Sequence, residues 1–113
     1  MKVCEEFYIN GEWVKPVNDL KTLDVINPAT EEVYGRIALG DKDDVDAAVE
    51  AAYNAFESFG YSSVDERVSL LEKISEVYQG KYDEIAETIS SEMGAPIGLS
   101  KAAQAATGLG HFS

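Results

Sequence analysis

Ile37-Ala38-Leu39-Gly40-Asp41-Lys42-Asp43-Asp44-Val45-Asp46-Ala47-Ala48-Val49 is the stretch where the chain changes period. Up to Leu39 the spacing is two. Val33, Gly35, Ile37 and Leu39 alternate with Tyr34, Arg36 and Ala38, the pattern of a half-buried strand. Beyond Asp41 the apolar residues Val45, Val49, Ala52, Phe56 and Phe59 recur at intervals of four and three, which puts them on one stripe of a helix. Asp41 suits the cap, because its carboxylate can accept from backbone N–H groups of the first turn. Asp43, Asp44 and Asp46 favour the positive end of the helix dipole. The chain therefore divides at residue 40 into strands (1–40) and helices (41–113), an α+β arrangement.

Working outward on the strand side, Phe7-Tyr8-Ile9 and Glu12-Trp13-Val14 flank Asn10-Gly11. Both positions of a type I′ turn need positive φ, which Asn and Gly tolerate best, so a β-hairpin is predicted. Pro16 and Asn18-Asp19 leave its second strand. Leu23-Asp24-Val25-Ile26 leads into the turn Asn27-Pro28-Ala29-Thr30, where proline fixes one φ. The chain then returns as a second strand pair from Glu32 to Leu39.

On the helical side, Gly60 closes the first helix. Ser63 and Glu66 form an S-x-x-E capping box for a second, with the stripe Val64, Val68, Leu71, Ile74 and Tyr78. Gly80 marks a break. A third helix carries Tyr82, Ile85, Ile89 and Met93 and ends at Gly94, with Pro96 beyond. An alanine-rich fourth starts near Ser100. The prediction is thus N-terminal β-hairpins followed by about four α-helices. His111-Phe112-Ser113 brings no cap, polar tail or closing glycine, so further polypeptide is expected after it.

Of 113 residues, 45% are apolar and the net charge is −12. The apolar share argues against disorder throughout. The charge repels phosphates and argues against nucleic acid or an anionic membrane as partner. It is uneven: residues 1–40 hold 4 basic and 7 acidic side chains, and residues 41–113 hold 5 and 14. Cys4 is the only cysteine, so no internal disulfide forms, which fits a reducing compartment. No secretory leader and no apolar run of roughly 18 residues is present. A cytoplasmic location is expected.

Five pieces, in order and at matching spacing, resemble the opening of the aldehyde dehydrogenase family. They are Phe7 to Val14, Val25-Ile26-Asn27-Pro28-Ala29-Thr30-Glu31-Glu32-Val33, the run Asp44 to Ala52 with Phe56, Arg67 with Leu70-Leu71, and Glu92-Met93-Gly94-Ala95-Pro96. The resemblance covers essentially the whole chain. Phe59 departs from the tryptophan that members often carry there, which bears on the subfamily. The resemblance implies that residues 1–113 are a partial domain, the N-terminal part of the dinucleotide-binding domain in a three-layer α/β fold. It implies NAD(P)-dependent oxidation of an aldehyde to a carboxylic acid: a cysteine attacks the aldehyde, hydride passes to the nicotinamide, and a glutamate-activated water releases the acid. Those groups and the dinucleotide site lie further along in family members. No catalytic or cofactor-binding residue is therefore expected here, and NAD or NADP is implied only for the complete enzyme. Some members hold a structural monovalent cation. The resemblance carries that role to the backbone carbonyls of Val25 and Ile26 and the carboxylate of Glu92, where aspartate is the more familiar residue. Complete members are homo-oligomers.

The other chemical candidates have plainer explanations. Cys4 has no base near it in sequence. Gly108-Leu109-Gly110 opens like a G-x-G-x-x-G phosphate loop, but Ser113 stands at the third glycine position and the segment follows a helix, not a strand. Helix packing explains it better. His111 is the only histidine and has no evident partners. The cluster Asp41, Asp43, Asp44 and Asp46 lacks the spacing and glycine of an EF-hand calcium loop. Two functional readings follow. One is an N-terminal fragment, inactive alone, whose partner is the remainder of the polypeptide and whose helix stripes stay exposed without it. The alternative is a standalone, non-catalytic interaction module derived from a dehydrogenase gene.

Overall fold

Asn10 and Gly11 take φ of 56° and 79°, and the turn they form joins β2 (Phe7–Ile9) to β3 (Glu12–Val14) in an antiparallel pair. Tyr8 faces Trp13 across this hairpin with ring centroids 5.1 Å apart. The computed structural model describes all 113 residues. A three-stranded sheet is ordered β1-β5-β4, with β1 at Lys2–Cys4, β4 at Thr22–Ile26 and β5 at Val33–Ala38. β4 and β5 are antiparallel, and Asp24 stands opposite Arg36 with an ion pair of 3.2 Å. β1, which the sequence analysis did not foresee, pairs parallel with β5. Gly35 makes room for it: a β-carbon there would lie 2.6 Å from the Lys2 carbonyl oxygen.

Two compact units divide the chain. The first holds Met1–Ile26 and Val33–Tyr61, so α1 belongs with the strands. The second holds Asn27–Glu32 and Ser62–Ser113.

In the first unit α1 (Lys42–Phe59) starts on a reciprocal capping box. Asp41 Oδ1 accepts from the Asp43 and Asp44 amides at 3.0 and 3.2 Å, and Asp44 Oδ2 accepts from the Asp41 amide at 2.9 Å. The box reaches beyond the helix. Asp44, which is buried, also accepts from the Val17 amide at 2.8 Å. The Asn18 side-chain amide donates to Asp41 and Asp43. Polar bonds thus pin the 17–18 loop to the start of α1.

The second unit contains α2 (Val64–Gly80), α3 (Tyr82–Met93) and α4 (Ile97–Leu99). A π-helical turn, Ser100–Gln104, continues α4 into α5 (Ala105–Phe112). The predicted Ser63–Glu66 box caps α2. Gly94 ends α3 in the left-handed conformation at φ 72°. It also sits against the 27–32 turn, since a β-carbon there would lie 3.2 Å from the Ala29 nitrogen. The fourth helical segment starts at Ile97, ahead of the expected Ser100, because Pro96 pre-sets its entry.

The fully buried residues are few and small. They are Ala86, Ala105 and Ser100, each at 0% exposure. Helices approach this closely because small side chains and glycine leave space. A β-carbon on Gly108 would stand 2.3 Å from the Tyr78 hydroxyl oxygen, and that hydroxyl donates to the Ala105 carbonyl at 2.8 Å. The Tyr82 hydroxyl donates to the Lys101 carbonyl. Ser100 Oγ donates to Gln104 across the π turn.

The amphipathic stripes form as predicted; Ile74, Tyr78, Ile85 and Ile89 of α2 and α3 are half-buried, whereas the stripe of α1 is left largely open. On α1, Val45, Val49, Phe56 and Phe59 are 59, 60, 67 and 53% exposed. The face of α1 that meets the first hairpin carries Ala48, Ala51, Ala52 and Ala55, which line a shallow cleft with Tyr8 to Gly11. The accessible surface totals 8317 Å². Two separate compact globules of half this mass would together expose only ~7,400 Å² by the usual mass scaling. Burying one large aliphatic or aromatic side chain stabilises by roughly 1.5–3 kcal/mol, so these bare residues represent a large unused driving force. No helix is long and apolar enough to cross a membrane.

Candidate functional site

Val25 and Ile26 close β4 at a place where the ladder slips. Val25 faces Gly35 and Ile26 faces Val33, so β5 spends an extra residue, Tyr34, at this point. Such a bulge interrupts regular pairing and redirects backbone groups. The chain then turns: the Ala29 amide donates to the Asn27 side chain at 2.9 Å, and the Asn27 amide donates to the Glu32 carbonyl at 3.0 Å. Val25 and Ile26 belong to the first compact unit. Glu92 belongs to the second, one residue before the end of α3. Its carboxylate is exposed. No group of three or more His, Cys, Asp or Glu side chains is gathered as a metal site.

The remaining candidates fall into structural roles. Cys4 is an exposed thiol on β1, opposite Ile37. Gly108, Leu109 and Gly110 lie inside α5, where Gly108 is the point at which Tyr78 meets the helix, so the helix-packing explanation holds. His111 is in the exposed last turn of α5. The aspartates at 41, 43 and 44 cap α1 and bind the 17–18 loop. Asp41 is held below its ordinary carboxyl range, chiefly by the Asn18 side-chain amide and then by the Asp44 backbone amide. These bonds all favour the ionised form. Sequence reasoning missed the tie from Val17 to Asp44 and the contact of Tyr78 with Ala105. Both join residues 27 positions apart, and no local pattern announces them.

The largest unclaimed features are apolar. An open groove of about 510 Å³ lies in the second unit, lined by Val68, Leu71, Ser75, Gln79, Phe112 and Ser113 among others. The Ser75 hydroxyl is cut off from water and has no hydrogen-bond partner.

Residues 13–113 match the family model described as "Aldehyde dehydrogenase family". A putative aldehyde dehydrogenase of Staphylococcus aureus (strain bovine RF122 / ET3-1) is 52% identical over 105 residues, 93% of this chain and 22% of that protein. Among solved structures, an aldehyde dehydrogenase from Bartonella henselae superposes with a TM-score of 0.96 at 44% identity, covering 99% of this chain and 23% of that one. Aldehyde dehydrogenase C from Pseudomonas syringae, a mutant solved with NAD+ and octanal, superposes with a TM-score of 0.93 at 38% identity, covering 96% and 22%. The chain spans about a fifth of the length of the relatives it matches, and its strands and helices are those of the N-terminal part of their fold. With these matches across nearly its whole length, the chain belongs to the aldehyde dehydrogenase family.

Proposed function

We propose that these residues are the front of an NAD(P)-dependent aldehyde dehydrogenase, the N-terminal part of its dinucleotide-binding domain, and that they serve as scaffold rather than catalyst. The complete protein oxidises an aldehyde to a carboxylic acid. The observation that carries this is the bare apolar stripe of α1, a surface that remains costly in water until more polypeptide covers it. The family match over about a fifth of its relatives' length supports the same reading, as does the Pseudomonas syringae relative's complex with NAD+ and octanal. The partner is thus the remainder of the same polypeptide, the complete protein is a homo-oligomer, and the lone thiol of Cys4 fits the cytoplasm. The test is aldehyde-dependent NAD(P)H formation, followed at 340 nm, by the complete gene product and by residues 1–113. Activity in the first and none in the second supports the proposal. A product of 12.3 kDa in the source cell, with no longer form, overturns it.

The cation ligands belong to the same proposal: the carbonyl oxygens of Val25 and Ile26 and the carboxylate of Glu92. Their chemistry supports it. All are hard oxygen donors, they bring one negative charge, and no hydrogen bond or ion pair claims Glu92. Melting of the complete protein in sodium or potassium against choline chloride tests it. A higher melting temperature with the alkali ions, lost in Glu92→Gln, is expected, and equal melting in all three salts rejects it.

A further inference from the structure

The chain holds four asparagines, at 10, 18, 27 and 54, and their settings differ. An asparagine loses its side-chain amide when the backbone nitrogen of the next residue attacks Cγ. The attack needs an N–H on that nitrogen, room around it, and a side chain free to swing onto it. Asn27 precedes Pro28, whose nitrogen has no proton to give up. Asn54 precedes Ala55 inside α1, where each amide is bonded to the carbonyl four residues back. Asn18 is tethered, because its side-chain amide donates to Asp41 and Asp43 at 2.8 and 2.7 Å.

Asn10 meets every condition. It is exposed. The next residue is Gly11, around which even an added β-carbon would find nothing within 4 Å. The ladder closes on Ile9 and Glu12, so the Gly11 amide lies in the turn, outside it. The flanking strands have three residues each, and so short a two-stranded hairpin opens readily in water. Opening frees the Asn10 side chain to reach the Gly11 nitrogen.

We infer that Asn10 is a site of spontaneous deamidation, and that its main product unfastens the first hairpin. The Gly11 nitrogen bonds to Asn10 Cγ, the Cγ–Nδ2 bond breaks, and ammonia leaves with the Gly11 proton. Water then opens the cyclic imide at either carbonyl, without oxidant or reductant. Opening at Cγ restores the backbone and leaves aspartate. Opening at the backbone carbonyl leaves isoaspartate, with the chain running through the former side chain. Aspartate tolerates the φ of 56° found here, so that product only adds a charge. Isoaspartate puts one extra backbone atom into a two-residue turn. That shifts Glu12 against Ile9, parts Tyr8 from Trp13, and disturbs the cleft that Tyr8 to Gly11 share with the alanine face of α1. The inference does not depend on the dehydrogenase reading.

The test incubates the complete gene product in warm, mildly alkaline buffer, native and in urea. Fragmentation mass spectrometry then locates each lost amide and tells isoaspartate from aspartate. In the native protein the expected result is progressive loss at Asn10, mostly to isoaspartate, with Asn18, Asn27 and Asn54 intact. In urea Asn18 joins in, its tether gone. Gly11→Ala, whose methyl group crowds the attacking nitrogen, slows the loss several-fold, and Asn10→Asp abolishes it. Hydrogen exchange on the separated products should find the β2 and β3 amides unprotected in the isoaspartyl form and protected in the aspartyl form. An Asn10 that keeps its amide in the native protein, or loses it no faster than Asn18, overturns the inference. Equal protection in the two products overturns the effect assigned to the hairpin.

Discussion

The two compact units are held by different forces. In the first, the sheet ladders and the carboxylates of Asp41 and Asp44 do most of the work, and both act through backbone N–H groups. In the second, helices meet on Ala86, Ser100, Ala105 and Gly108, so fit between small residues decides the packing. Hydrogen bonds to backbone tolerate modest changes of side chain. Close helix contacts do not, because any added atom must displace a neighbour. What the units share is that each leaves many of its large apolar residues exposed.

The sharpest way to break this contrast is to add bulk at the tightest contact of the second unit. Gly108→Val puts a β-carbon where the Tyr78 hydroxyl stands and removes its bond to Ala105. We expect a loss of about 3 kcal/mol, from overpacking and a lost buried hydrogen bond. Native-state hydrogen exchange reads it as weaker protection across α2 and α5, with α1 unchanged. Ala86→Leu is next, at about 2 kcal/mol by overpacking alone, again confined to the second unit. Comparable loss in α1 from either variant would show that the units do not unfold separately.

In the first unit the corresponding change is Asp44→Ala. It removes half of a capping box and the anchor for Val17, and about 1.5 kcal/mol is expected. Exchange should quicken in the first turn of α1 and at the Val17 amide, and not in α5. Asp41 gives a pH signature. Its pKa is lower in the folded chain than its ordinary 3.8. Its contribution is thus complete above the unfolded value and fades as pH falls through the lower, folded one. Acid titration of α1 helicity should show this loss below about pH 4, the unperturbed carboxyl range. In Asp41→Asn that part of the titration should vanish while the cap persists, since asparagine caps as well. The smallest effect is expected at Val45→Lys in the isolated chain. An exposed residue off any special feature changes stability by within about 0.5 kcal/mol.

The first unit was also the more legible in sequence. The Asn10-Gly11 turn, the Asp41 cap and the helical stripe of α1 are local signals, and each appears where its residues place it. β1 escaped because Lys2-Val3-Cys4 is too short to show a period. Its one trace is Gly35 in the middle of β5, where a missing side chain admits a neighbouring backbone. In the second unit the Ser63 box and the Gly94 stop were legible for the same local reason. The π turn was not, since no local pattern in Ser100–Gln104 announces it. Ala86 and Ala105 read in sequence as ordinary helix formers, and their burial follows only from what packs on them. The candidate site was legible through resemblance alone: nothing in the pattern of Val25, Ile26 or Glu92 marks a ligand.

On the proposed function, the apolar faces of this chain are covered by more of the same protein. Fluorescence of a hydrophobic dye tests it most directly, with residues 1–113 and the complete gene product compared at equal molar concentration. Strong binding by the 113-residue chain is expected, with concentration-dependent self-association in gel filtration, and little binding by the complete protein. A monomeric 113-residue chain that melts cooperatively and leaves the dye dark would contradict it.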